Sequence, residues 1–481
     1  MPETMSGSIF FYLNGKARTV RPHEAFLTLA QYLRQNAGAT GTKIVCEEGD
    51  CGSCTVLVGR PDGDTLRYAP LNSCIQFVYH ANGAHIVTVE GVAPEGALHP
   101  VQEAMVACHG AQCGYCTPGF VVAMCALAEQ KKDVSEKDVK DALTGNLCRC
   151  TGYTPIIKAA MSVDQKSLVP MSERYPDRQI AAALTEHLSS PVDIESGGRR
   201  VVAPDSITEA VRFKSANPEI VIVQGATDIG VQHNKRHLRP AVSMNLSRIA
   251  ELQQMTLEGS VLNVGAAVTL ARIEAFMRER VPEFFDILWL FGAPQIKNAG
   301  TLAGNLANAS PIADSIPFLY VMEASVELTG LSGVRRIPLE SFYLGYKKLD
   351  LGADEIITKI LIPLPDTEIL KLYKVSKRKN LDISTVTAAF RISTSGDAIE
   401  KAHVAVGGVG PTVLRLRKVE EFLQGSSWSL ETMLHAGEIA KGQITPLSDV
   451  RGSAEFRLQL IGNLFERFFH DTGDRRASWA S

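Results

Sequence analysis

Residues 46–54 read Cys46-Glu47-Glu48-Gly49-Asp50-Cys51-Gly52-Ser53-Cys54, and a fourth thiol follows at Cys74. Three thiols interleaved with two glycines make a loop suited to wrapping around a centre that thiolates hold. Gly49 and Gly52 permit positive φ and let backbone N–H groups come close to sulfur. All ten cysteines lie before residue 151, in two groups, and the remaining two thirds of the chain carry none. A secreted disulfide scaffold is short and cysteine-dense throughout. Clustered thiols in a chain of 481 residues point instead to metal or redox use.

The spacing C-x4-C-x2-C…C is that of plant-type [2Fe–2S] ferredoxins, which makes Cys46, Cys51, Cys54 and Cys74 ligands of one such cluster. Backbone N–H dipoles aimed at the sulfurs would stabilise its negative charge and help set its potential. Zinc sites prefer paired short spacings around a tetrahedron, a poor fit to this run. The second group is Cys113-Gly114-Tyr115-Cys116 with Cys148-Arg149-Cys150, that is C-x2-C and C-x-C. Alone, these pairs suit a zinc ribbon as well. Two features favour a second [2Fe–2S] cluster: the cluster upstream, and the placement of both pairs at N-terminal turns of expected helices, whose dipoles favour thiolates. Cys108 and Cys125 are left over, and Cys125, within FVVAMCALA, reads as a small buried hydrophobe.

Around these sites the composition is that of a globular protein, with 45% hydrophobic and 21% charged residues. At about 150 residues per domain, roughly three domains are expected. A net charge of −3 gives no support for a nucleic-acid partner. No apolar run approaches the roughly 20 residues of a membrane span. The start, MPETMSGSIFFYLNGKARTV, lacks a basic region followed by a long apolar stretch, so it is not a secretory signal. The expected location is cytoplasmic.

Patterning divides the chain further. In residues 1–91, Asn14-Gly15 between strand-like runs predicts a hairpin. EAFLTLAQYLRQNAG, with Phe26, Leu29, Ala30 and Leu33 on one face, predicts a helix ending at Gly38. TVLVGR and AHIVTVEGV predict strands, giving a small mixed sheet with one packed helix. Residues 92–165 turn helical: HPVQEAMVACHG, then Thr117-Pro118 as cap and first-turn proline, Ser135 with Asp138 as a capping box, and Thr154-Pro155 opening a fourth helix. Residues 166–195, with Pro170, Pro176 and Pro191, read as a linker carrying a helix around IAAALTEHL. Residues 196–367 alternate strand-like runs with helices such as LARIEAFMRER, and residues 368–475 pair VTAAFRIS with AHVAVGGV before a closing helix.

CEEGDCGSC, QCGYCTPG and LCRCTGY, in this order, resemble the N-terminal half of the xanthine dehydrogenase family of molybdenum hydroxylases, over about residues 7–470. The resemblance implies a multidomain α+β protein: a ferredoxin-like β-grasp domain, a helical-bundle [2Fe–2S] domain, an α+β FAD-binding domain and a C-terminal α+β flavoprotein domain. The family's molybdopterin portion has no counterpart here. The chain is thus similar to the small subunit of the split, bacterial-type members. That implies a molybdopterin-binding large subunit as partner, in a heterodimer or a dimer of heterodimers. Hypoxanthine and xanthine would be hydroxylated there. Electrons would then run through the cluster of Cys113, Cys116, Cys148 and Cys150, the cluster of Cys46, Cys51, Cys54 and Cys74, FAD, and finally NAD as acceptor. The resemblance also puts Cys150 and Gln112 nearest the pterin, whereas from the residues alone Gln112 is an ordinary loop glutamine.

Two glycine-rich stretches follow, VIVQGATDIG at 221–230 and GAPQIKNAGTLAGNLANASPIADSIP at 292–317. Consecutive backbone N–H groups in such loops can cradle a diphosphate. Neither stretch is G-x-G-x-x-G or a Walker A string, and by composition alone each is simply a turn. By resemblance, Ile222, Val223, Gln224, Gly225, Ala226, Thr227, Asp228 and Ile229 line FAD, as do Thr301, Leu302, Ala303, Gly304 and Asn305. Phe291 would pack near the isoalloxazine and Asp314 hold the adenosine side, with Ile357 and Lys374 as further contacts. The family's acidic pair before the position of Ile383 is replaced here by Leu381-Asp382 after the basic run SKRKN, which bears on the NAD contacts. No G-x-S-x-G or H-E-x-x-H constellation occurs, so no catalytic residue is expected in this chain. Two one-electron centres ending at a flavin read as a wire. The rival readings are the same subunit of an aldehyde- or carbon-monoxide-oxidising hydroxylase, and a zinc or redox-sensing protein.

Overall fold

The Asn14-Gly15 turn has positive φ at both positions, 49° and 77°, as a tight two-residue turn requires. It joins the antiparallel strands Ile9–Leu13 and Lys16–Val20 in the computed structural model, which describes residues 7–366 and 368–477. The described chain divides into two compact units. One runs to Ala250 and takes in Ala293–Gly300; the other comprises Glu251–Gly292 and the chain from Thr301 onward.

In the first unit the hairpin belongs to a five-stranded sheet, ordered Lys16–Val20, Ile9–Leu13, His85–Val87, Thr55–Asp62, Thr65–Asn72. Ile9–Leu13 and His85–Val87 pair in parallel and the other neighbours antiparallel. Ile9, Phe11 and Leu13 alternate inward, as a half-buried strand demands. The long helix expected over Glu24–Gly38 is split into a 3-10 turn at Pro22–Phe26 and an α-helix at Leu29–Gln35. Thr28 is the cause. Its hydroxyl accepts from the Gln31 amide while Gln31 Oε1 accepts from the Thr28 amide, a capping box that starts a new helix inside the periodic run.

Four helices follow: Pro100–Ala107, Thr117–Gln130, Glu136–Ala142 and Thr154–Ser162. Ser135 and Asp138 form the expected capping box. Thr117 does not cap. It occupies the first helical position, and Cys116 sits at the cap without a side-chain bond. The expected linker is largely helical, with Met171–Arg174 and Asp177–Leu188. Met171, Ile180, Ala181 and Leu184 are buried in one core with Leu57, Leu66 and Val122, so the segment straps the sheet to the helices. A polar clamp reinforces it: Leu66 N–H donates to Asp177 Oδ2 at 2.8 Å and Tyr175 Oη donates to the Gly91 carbonyl at 2.6 Å.

A four-stranded sheet completes this unit, ordered Val192–Ser196, Arg199–Ala203, Val242–Met244, Val221–Ile222. Helix Ile229–Arg236 lies against the residue after Cys74, where a Cβ on Gly230 would stand 2.1 Å from the Ile75 carbonyl oxygen. Only glycine allows that approach.

The second unit holds a five-stranded antiparallel sheet, ordered Met255–Glu258, Val261–Gly265, Ile356–Pro363, Ser325–Gly330, Gly333–Pro338. It also holds a four-stranded one, ordered Ile369–Val375, Val386–Ser395, Ala398–Gly407, Leu414–Arg415. Helices Leu430–Lys441 and Ala454–Ala477 accompany the latter, and Phe390 stacks on Phe468 with ring centroids 4.7 Å apart. The multidomain α+β architecture expected from the sequence is the one observed. No helix among the described residues is long and apolar enough to cross a membrane.

Candidate functional site

Loop 46–54 wraps as its glycines allow: Gly49 and Gly52 have φ of 77° and 68°. Glu47 also takes positive φ. The loop brings three thiols to a fourth, Cys74, which follows strand Thr65–Asn72. Cys46 shares hydrogen bonds with both Cys51 and Cys74, and Cys74 with Cys54, so the four sulfurs form one connected group. Sharing drives the thiols apart in acidity. Cys46 is pushed far down, first by its bond with Cys51, and Cys51 far up by the same bond. Cys51, Cys54 and Cys74 are buried. Asn72 Nδ2 donates to the Gly49 carbonyl at 2.7 Å, and Asn234 Nδ2 donates to the carbonyls of Glu47 and Cys74, both at 2.9 Å.

The second group assembles from the turn before helix Thr117–Gln130 and the turn before helix Thr154–Ser162. Cys113 and Cys150 sulfurs stand 3.5 Å apart, and Cys116 pairs with Cys148. Cys113 and Cys150 are exposed and Cys148 is buried, so this site opens at the surface of its unit. The Cys113 thiol is lowered, first by the Tyr115 amide, and Cys116 is pushed up to about 12 by burial. Thr151 Oγ1 lies 3.2 Å from Cys148 Sγ, and the Cys148 amide donates to Tyr153 Oη at 3.1 Å. Among the described residues no three or more His, Cys, Asp or Glu are arranged to hold a single metal ion. Eight thiols in two sets of four are the donor chemistry a pair of [2Fe–2S] clusters uses.

Of the glycine-rich stretches, residues 222–229 belong to the first unit and 301–305 to the second. A Cβ at Gly225 would lie 2.2 Å from the Ala299 carbonyl oxygen, so this glycine is required by a close backbone approach. The Gly225 carbonyl accepts from Gln76 Nε2 at 2.8 Å, and Gln224 Oε1 accepts from the Leu246 amide. The amides of Gly225, Ala226, Thr227 and Asp228 donate to no acceptor among the described residues, which leaves a run of donors suited to an anion. Thr301 caps helix Leu302–Ala307 by accepting from the Gly304 amide at 3.0 Å. Asn305 Oδ1 accepts from Ser315 Oγ at 2.6 Å, which ties this stretch to the residue after Asp314.

Asp314 and Lys374, sixty residues apart in sequence, form a buried ion pair of 2.6 Å, with side chains 7% and 2% exposed. Burial keeps the Asp314 carboxyl above its usual range in spite of that lysine. Ser384 completes the group, accepting from Lys374 Nζ at 2.7 Å and donating to Asp314 Oδ1 at 2.6 Å. Ile357 is a buried strand residue opposite Leu328. Phe291 ends helix Pro282–Phe291, beside Leu290, whose carbonyl accepts from the Leu381 amide. Sequence reasoning missed Asn72, Gln76, Asn234 and Ser384. The first two lie within two residues of Cys74, a nearness that could have marked them; the others carry no local signal.

The fold and its sites thus define a protein with two thiolate centres followed by flavin-type domains, and the comparisons with known proteins agree. Four domain families match in order: a 2Fe-2S iron-sulfur cluster binding domain at 11–78, a [2Fe-2S] binding domain at 88–161, the FAD binding domain in molybdopterin dehydrogenase at 195–365, and the CO dehydrogenase flavoprotein C-terminal domain at 371–472. The chain therefore carries two 2Fe-2S domains, an FAD-binding domain and a flavoprotein C-terminal domain, in that order. It is 30% identical to xanthine dehydrogenase 1 of Arabidopsis thaliana over 95% of this chain and 39% of that one. It is 29% identical to aldehyde oxidase 2 of Rattus norvegicus over 97% of this chain and 39% of that one. The chain spans about 39% of the length of these curated relatives. Among solved structures, quinoline 2-oxidoreductase from Pseudomonas putida 86 matches 56% of this chain and 94% of its own, with TM-score 0.53 and 26% identity. Reconstituted CO dehydrogenase from Oligotropha carboxidovorans matches 57% and 97%, with TM-score 0.53 and 26% identity.

Proposed function

We propose that this chain is the electron-transferring iron–sulfur and FAD component of a xanthine dehydrogenase, working with a molybdopterin-binding partner that hydroxylates hypoxanthine and xanthine, and with NAD as final acceptor. The observation that carries the reading is the gathering of eight thiols into two groups of four, on a chain with an FAD-binding domain behind them. In it, Cys46, Cys51, Cys54 and Cys74 hold one [2Fe–2S] cluster and Cys113, Cys116, Cys148 and Cys150 the other. Residues 222–229 and 301–305, with Phe291, Asp314, Ile357 and Lys374, hold FAD. When bound, the clusters supply one-electron transfer and the flavin the exchange between single electrons and hydride.

The chain's own residues prepare these sites. The Cys51 amide donates to Cys46 Sγ at 3.4 Å, which favours thiolate over thiol at Cys46. Free amides at Gly225–Asp228 offer hydrogen bonds to a diphosphate. Lys374 Nζ donates to Asp314 Oδ2, Ser384 Oγ and the Asp382 carbonyl, which fixes where the side chain ends. In this reading the substrate chemistry falls to the partner.

The test is analysis of the isolated chain followed by reconstitution. We expect visible absorption, iron with matching labile sulfide, and FAD rather than FMN. NADH should reduce an artificial acceptor with the chain alone, and xanthine should give urate only after the partner is added. Stoichiometric zinc in place of iron, or xanthine turnover by the chain alone, overturns the reading. Reduction of the reconstituted complex by an aldehyde or carbon monoxide, but not by xanthine, would keep the electron-transfer role and reassign the substrate.

A further inference from the structure

The two cysteine groups of the first unit are joined by a seam in which three glycines meet. A Cβ on Gly52, between Cys51 and Cys54, would lie 2.2 Å from the Gly145 carbonyl oxygen. One on Gly119, three residues past Cys116, would lie 2.2 Å from the Gly52 carbonyl oxygen. One on Gly145, three before Cys148, would lie 2.3 Å from Gln295 Oε1. Each loop therefore comes as near the next as a backbone without side chains can.

Polar groups hold the seam shut. The Gly52 carbonyl accepts from Asn146 Nδ2 at 3.2 Å and from Thr55 Oγ1 at 2.6 Å. Asn146 Oδ1 in turn accepts from Gln295 Nε2 at 2.9 Å, and Gln295 arrives from the returning segment Ala293–Gly300. Asn146 and Gln295 are 2% and 1% exposed. Gln295 Oε1 finds no partner, an arrangement that costs free energy and persists because Nε2 is committed to Asn146. Beside this brace, the Leu147 amide donates to the Cys51 carbonyl at 3.0 Å. From Cys51 Sγ to Cys148 Sγ the route is then covalent apart from that one hydrogen bond.

We infer that Asn146 and Gln295 are positioning residues that set the spacing of the two cysteine sites by bracing the contact between Cys51 and Leu147. This rests on the two-cluster reading above. Electron tunnelling falls off exponentially with distance and faster across gaps than along bonds, so a braced link of this kind matters to a relay more than to folding.

The test uses the full chain with its iron–sulfur centres, as unaltered protein and as Asn146→Ala and Gln295→Leu. Iron and labile sulfide are measured first, then the magnetic splitting between the two reduced centres, which depends on the inverse cube of their separation, and the exchange rate of the Leu147 amide. We expect full iron in at least one variant, a smaller splitting, and Leu147 exchange faster by about tenfold, the loss of roughly one hydrogen bond. Full iron with unchanged splitting and unchanged exchange overturns the inference. Loss of iron from both variants also overturns it, since the two residues would then serve to build the sites rather than to space them. Absence of iron–sulfur centres from the unaltered chain would instead fail the two-cluster reading.

Discussion

At the scale of single residues, two positions separate burial from binding. Lys374 and Asp314 are paired out of water, and Lys374→Met would strand a buried carboxylate. Breaking such a pair costs about 3–5 kcal/mol, so the variant's denaturant midpoint should fall sharply. An unchanged midpoint would show that the pair is not closed as described. Gly225 makes the opposite case. Gly225→Val sets a side chain against the Ala299 carbonyl without touching any cysteine, so the flavin-to-iron ratio should drop while iron stays full. A variant that folds and keeps its full complement of FAD would remove this loop from the flavin site.

At the scale of elements, the strap over Met171–Leu188 is the feature to probe. Asp177→Ala leaves the Leu66 amide without its acceptor, a cost of about 1–3 kcal/mol that chemical unfolding of the chain should register. The strap also meets a titrating group. Gly15 N–H donates to His85 Nε2 at 3.0 Å, so the neutral ring carries its proton on Nδ1, facing Tyr68 Oη at 2.7 Å, and Tyr68 in turn points at Asp177. Burial lowers the His85 pKa to about 4. The unfolded chain protonates this histidine near pH 6.5, the folded chain only near pH 4. Stability from His85 is therefore full above pH 6.5 and is lost as pH falls from there toward 4. His99, lowered to about 4 by burial, acts in the same sense. Thermal midpoints should decline through that window, and His85→Gln should shrink the decline; equal slopes in both proteins would exclude His85 as a contributor.

At the scale of the whole molecule, the prediction concerns inventory. Under the proposed reading, eight thiols at four per cluster require about four irons per chain. Three of the first four thiols are buried, whereas Cys113 and Cys150 of the second four are exposed. Solvent exposure is one of the terms that set a cluster's potential, so the two centres should give distinguishable paramagnetic signals and titrate at different potentials. Cys150→Ser should abolish one signal and leave the other. Loss of both, with the chain still folded, would mean that the centres do not form independently.

The cysteine spacing, the Asn14-Gly15 turn and the Ser135 capping box were legible from sequence because each depends on neighbours a few residues apart. Helix LARIEAFMRER came out at Leu270–Arg280, as its period required. Local pattern misjudged Thr117 as a cap and Glu24–Gly38 as one helix, since a cap is decided by which of several nearby polar groups reaches the free amide. The linker reading of residues 166–195 weighed prolines and polar residues, yet Met171 and Leu184 belong to a buried core that also takes in Leu57 and Leu66 from the distant sheet. The same holds for Asn234 under the first cysteine loop, Ser384 on the Asp314–Lys374 pair, and the seam of Gly52, Gly119 and Gly145. Sequence alone determined which atoms could bind metal, because ligand type and spacing are local. Only the tertiary structure decided which distant amides, carbonyls and glycines surround them, because those contacts arise when separate elements pack and no short-range period encodes them.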